Sequence, residues 1–138
     1  MRFMMMMFPK GYETAQPGTL PDLASIERMR KYNESLGQAG VLLALDGLKP
    51  PSTAARVSFA GGKPKVTDGP FAESKEAVGG FWIIDVKSRE EAIEWAKRIP
   101  GSEIETVEVR PFLDISDFPA DVRGALEKME REASQPGA

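Results

Sequence analysis

Two apolar runs constrain this chain more than any other feature: Phe3-Met4-Met5-Met6-Met7-Phe8, and Phe81-Trp82-Ile83-Ile84, with Val86 just past Asp85. A strand sends successive side chains to opposite faces. A continuous apolar run therefore marks a strand that must be covered on both sides. Helices can cover one face. At 138 residues the chain is the size of a single domain, so the second cover has to come from elsewhere. A lone domain would expose an apolar patch of a size that monomers avoid, and pairing sheet to sheet with a second copy hides it. The four consecutive Met residues fill irregular core space and read as core strand rather than as metal ligands.

The remaining elements follow from periodicity and punctuation. Thr19 is the expected N-cap of a first helix, with Pro21 and Asp22 in its first turn. Leu23, Ile26, Met29, Tyr32 and Leu36 recur along it at helical spacing. Residues 41–45 form a short strand. Residues 56–60 and 63–67 form a hairpin around Gly61-Gly62, a turn signal because both positions tolerate positive φ. Pro64 lacks an N–H, which makes its strand an edge or a bulged one. Residues 78–86 are the clearest strand. Ser88 and Glu91 read as a capping box for a second helix reaching about residue 99, with Ala92, Ile93, Trp95, Ala96 and Ile99 inward. Residues 104–110 are the last strand. A third helix opens at Phe118-Pro119 with Val122, Leu126 and Met129 on one stripe, and the tail 134–138 is expected to fray. The order predicts an α+β fold: a ferredoxin-like βαββαβ protomer with an inserted β-hairpin and an extra C-terminal helix.

Several functions are excluded by what the chain lacks. There is no cysteine and no histidine. That removes disulfides, thiolate catalysis, Cys- or His-based metal sites and His-dependent triads. Acid–base chemistry near neutral pH is left to carboxylate, Lys or Tyr. The net charge of −3, without a basic run, argues against nucleic acid as a partner. No apolar stretch approaches the ~20 residues of a membrane span, and the N-terminal run is shorter than a signal-peptide core. The expected location is therefore the cytoplasm. No carboxylate loop has Ca²⁺ or Mg²⁺ spacing, so neither metal nor cofactor is expected.

The stretch Thr67-Asp68-Gly69-Pro70-Phe71-Ala72-Glu73-Ser74-Lys75-Glu76 resembles the DGPF branch of the YCII-related family. Gly79-Gly80-Phe81, Glu91-Ala92-Ile93-Glu94-Trp95-Ala96 and Glu108-Val109-Arg110-Pro111 extend the resemblance over residues 1–113, leaving 114–138 as a helical extension. The resemblance implies a dimeric α/β barrel, two ferredoxin-like protomers packed through their sheets. It also implies a regulatory context with sigma factors. It further implies relatives that carry a catalytic His–Asp pair and relatives that act on small cyclic compounds; the pair has no counterpart in a chain without histidine.

Asp68 is the candidate catalytic residue, an acid, base or ligand anchor on a turn. The plainer reading is a turn former whose carboxylate bonds its own loop. Gly69, Pro70 and Phe71 are candidate ligand-binding neighbours. Period-two alternation puts Glu108 and Arg110 on one face of the last strand, as a surface ion pair or as a cationic anchor for a carboxylate ligand. Asp68 and Arg110 are expected to line one cavity. Three functions compete: a small-molecule-binding domain with a regulatory role; a His-independent isomerase, lyase or dehalogenase acting on a small cyclic carboxylic acid; and a scaffold for a protein such as a sigma factor. Whether the chain is an enzyme stays open at this point.

Overall fold

The computed structural model describes residues 1–135; the last three residues of the tail expected to fray lie outside them. Six strands and three α-helices follow in order: β1 (Arg2–Pro9), α1 (Leu23–Gln38), β2 (Leu42–Gly47), β3 (Ala55–Ser58), β4 (Lys65–Asp68), β5 (Gly80–Asp85), α2 (Arg89–Lys97), β6 (Glu105–Pro111) and α3 (Ala120–Ala133). Short 3-10 turns punctuate the loops. The main sheet is antiparallel with order β2-β5-β1-β6, and β3 and β4 form a separate two-stranded sheet. The two apolar runs are thus the two central strands. The order is consistent with a ferredoxin-like α+β plan, with the β3–β4 hairpin inserted between β2 and β5.

Helices α1 and α2 cover one face only. Phe3, Met5 and Met7 of β1 and Trp82 and Ile84 of β5 point at them and are buried. Tyr32, Leu36, Ala92, Trp95 and Ile99 close the core from the helix side. Tyr32 is its polar keystone: its hydroxyl donates to the Trp95 carbonyl at 2.7 Å, and its ring meets Trp82 edge-on at 5.9 Å. The indole N–H of Trp82 donates to Asn33 Oδ1 at 2.8 Å, so the polar ends of Tyr32 and Trp82 are both paired. The opposite face carries Met4, Met6, Phe8, Phe81 and Ile83, all half-buried, with no helix among the described residues packed on it.

Burial raises the phenol pKa of both tyrosines, strongly for Tyr32, where nearby Arg98 offsets it slightly. A phenol held protonated by the fold contributes stability that is fully present below about pH 10 and is lost as pH rises beyond it. The tyrosinate absorbance of the native protein should therefore rise at higher pH than that of the denatured chain. Coincident curves in the two states would contradict the burial of the Tyr32 phenol.

Local chemistry adjusts several boundaries. Asp22, not Thr19, caps α1: its carboxylate accepts from the Ser25 N–H at 2.8 Å, and that bond holds its pKa below the usual range. Leu23 and Ile26 do not turn inward; the first turns of α1 overhang the end of the sheet, leaving them exposed. At α2, Ser88 Oγ accepts from the Glu91 N–H, but the Glu91 carboxylate reaches past Ser88 to the Lys87 N–H. Gly61 and Gly62 both take φ of 82° in the hairpin turn, which spans six residues because Pro64 stays outside β4. No residue of α3 is buried. No helix among the described residues is long and apolar enough to cross a membrane.

Candidate functional site

A hollow of about 1130 Å³ opens where the helix layer overhangs the sheet. Residues 10–21 lead from β1 to α1 along one side, and residues 100–105 between α2 and β6 form the other. The wall from α1 is Ser25, Ile26, Met29 and Asn33; the floor is Trp82 and Leu45, with Gly79 and Gly80 at the inner end. Ile26, Met29 and Asn33 share a face because they are three and four residues apart.

Glycine is required at that inner end. A Cβ on Gly79 would sit 2.9 Å from Pro9 Cγ and 3.6 Å from Tyr12 Cε2, so its absence lets the Tyr12 ring close in. Tyr12 donates its hydroxyl to the Leu48 carbonyl at 2.5 Å, which ties the β1–α1 loop to the end of β2. Asn33 is fixed by the Trp82 indole on its Oδ1, leaving the amide N–H groups as donors. Lys10 forms no salt bridge among the described residues, and Arg28 bonds only the neutral hydroxyl of Ser25. Asp46 and Glu105 line the hollow too. The arrangement can seat an apolar body against Trp82, Met29, Ile26 and Leu45, with amide and cationic donors at its edge. It offers no nucleophile and base in contact.

Glu108 and Arg110 do come together. Arg110 Nη2 lies 2.5 Å from Glu108 Oε2, an oxygen with no other partner among the described residues. Both stand on the open sheet face, Glu108 opposite Met6 and Arg110 opposite Met4. Arg110 edges a shallow hollow of about 220 Å³ with Met4, Met6, Pro111 and Phe112.

Asp68 lies elsewhere. It ends β4 opposite Ala55, exposed, with no hydrogen bond or ion pair from its carboxylate among the described residues. The hairpin leaves the sheet beside Gly47 and Gly80, level with Met7, whereas Arg110 is level with Met4 and Ile83. Three residues of strand, about 10 Å, separate those levels, and neither hollow includes both side chains.

The residues after Asp68 have structural tasks. A Cβ on Gly69 would fall 1.8 Å from the Pro51 carbonyl oxygen, so only glycine fits where the two backbones touch. Gly69 N–H donates to the Ala54 carbonyl, and the Gly69–Pro70 peptide is cis. Phe71 lies under the Arg56 guanidinium, 3.8 Å from its ring centroid, and Arg56 also donates to Ser74 Oγ at 2.9 Å. These contacts pin the loop to the hairpin.

The sequence reading missed the wide cleft and its residues Tyr12, Asn33 and Lys10. One signal was available: Asn33 is an amide on the apolar stripe of α1, four residues after Met29, and a polar group there needs a partner or a ligand.

Fold and cleft together define a small α+β domain with a ligand-sized hollow beside its helix layer. The chain belongs to the YCII-related domain family, whose model matches residues 1–116. It is also similar to an uncharacterised protein of Rhizobium meliloti (strain 1021), 39% identical over 93 residues, covering 66% of this chain and 70% of that protein.

Proposed function

We propose that this chain is a small-molecule-binding domain of the DGPF type, working in the cytoplasm as a homodimer, with residues 114–138 a helical extension. The cleft carries this reading. A hollow of about 1130 Å³ is slightly larger than the usual small-molecule site, and Trp82, Leu45, Met29 and Ile26 give its floor and its α1 wall apolar surface. The ligand is a cyclic carboxylic acid: the ring sits over Trp82 and against Met29, and the acid takes hydrogen bonds from Lys10, Arg28 and the Asn33 amide. Dimerisation is supported by the uncovered apolar face of Met4, Met6, Phe8, Phe81 and Ile83.

The probe is 1-naphthoic acid. A ligand at one hundred times its Kd adds about 2.7 kcal/mol, a rise in Tm on the order of 10 °C for a domain of this size. Met29→Trp fills the cleft from an already partly exposed helix position. It should keep the folded state and abolish the rise. An equal rise in wild type and variant would move the ligand out of the cleft.

A further inference from the structure

A ring acid fills only part of the cleft. Sites of about 300–1,000 Å³ already enclose drug-sized molecules, and this hollow is about 1130 Å³. Its α1 wall shows where the remaining space runs. Asn33 is the wall residue furthest along the helix, and Met29 and Ile26 precede it on the same face. Seven residues of helix, about 10 Å, separate Asn33 from Ile26. The lining then continues past the start of α1 to Pro21 and Leu20. With the acid on the Asn33 amide and the ring against Trp82 and Met29, the stretch from Ile26 to Leu20 is left empty.

That stretch is apolar, uncovered and held in place. Leu20 is 84% exposed and Ile26 48%. Residues 14–21 carry no charged side chain, although 28% of the chain is charged. A second acid or a phosphate finds nothing to pair with along this segment, whereas an apolar substituent finds Ile26 and Leu20. The segment is anchored on both sides of Leu20. Ser52 Oγ donates to the Ala15 carbonyl at 3.1 Å, and the Asp22 carboxylate caps the helix at the Ser25 N–H. Leu20 is therefore stationed at the rim of the cleft, and the two anchors limit how far it can swing away.

We propose that the ligand is an amphipathic acid: a ring carboxylic acid that carries an unbranched apolar chain, laid along Ile26 and leaving the cleft over Leu20. This rests on the cleft reading above, and it adds the chemistry and direction of the ligand's far end. Each methylene set against these side chains removes apolar surface from water on both partners. Chain length is then what the rim recognises, in the way that the amide and cationic donors recognise the acid.

The test is the affinity of 4-ethyl-, 4-butyl- and 4-hexylbenzoic acid, measured by titration calorimetry. The dissociation constant should fall about threefold for each methylene covered, and so about tenfold from the butyl to the hexyl acid. Leu20→Ser alters a side chain that the fold leaves exposed. In that variant the gain from butyl to hexyl should shrink to about twofold or less, while Leu20→Met should keep it. If the ethyl acid binds and longer chains add nothing, the chain is refuted and the cleft stands as the site of a compact ligand. An equal gain in wild type and Leu20→Ser would place the chain elsewhere, on the open sheet face for instance, and would overturn the proposal. Binding by none of the three acids would overturn the cleft reading and the chain with it.

Discussion

Ile83→Glu is expected to turn the protein into a folded monomer. Ile83 is near the middle of the open sheet face, with Met4 and Ala44 as its cross-strand neighbours. Neither neighbour can pair with a carboxylate, and Asp85, two residues on along the same face, repels one. In a single copy the new side chain meets water and costs little. In a face-to-face dimer the two-fold axis buries it twice, and an unpaired buried charge costs several kcal/mol after relaxation. Two such penalties exceed what most interfaces can absorb, since each 1.4 kcal/mol is tenfold in affinity. Sedimentation at micromolar concentration should show wild type as a dimer and the variant as a monomer. Far-UV circular dichroism should be unchanged, because the helix-facing side of β5 is untouched. A dimeric variant would mean that the open face is not the interface.

The largest loss of fold stability is expected at Trp82. The indole is buried, edge-on to Tyr32 and bonded to Asn33. Trp82→Ala removes its packing, leaves a cavity and strands the Asn33 acceptor. Substitutions of this kind cost about 3–5 kcal/mol, against a total stability of about 5–15 kcal/mol for a domain. With a urea m-value of about 2 kcal/mol/M, the midpoint should fall by about 2 M. Trp82→Phe keeps the ring and loses the hydrogen bond, so it should fall between the two. A shift below about 0.5 M for Trp82→Ala would mean that this cluster does not organise the core.

The sequence was informative wherever one segment alone decides the outcome. The runs at Phe3–Phe8 and Phe81–Ile84 announce central strands because alternation along a strand is a local rule. Ser88 and the Gly61-Gly62 pair announce a cap and a turn for the same reason. Errors arose where the rest of the fold intervenes. Leu23 and Ile26 keep perfect helical spacing, yet the sheet ends before them, and no periodicity reports where a sheet ends. Asp22 replaces Thr19 as the cap because the helix begins only at Leu23, which puts Asp22 three residues before the Ser25 N–H it accepts from. The cleft was least legible. Its walls come from separated segments near residues 12, 29, 45, 80 and 104, and only the fold brings them together. Glu108 and Arg110 were legible as neighbours because they are two apart on one strand. The relation of Asp68 to Arg110 depends on how residues 48–54 and 69–79 carry the separate β3–β4 sheet away from the main one, which no local pattern reports.

The central claim is that the cleft beneath α1 holds a small cyclic acid. It is tested most directly by titrating 1-naphthoic acid into ¹⁵N-labelled protein and following the Trp82 indole N–H and the Asn33 side-chain amide. Saturable shifts of both resonances, lost in Met29→Trp, are predicted. Saturation without movement of either, or shifts confined to residues of the open sheet face, would contradict it.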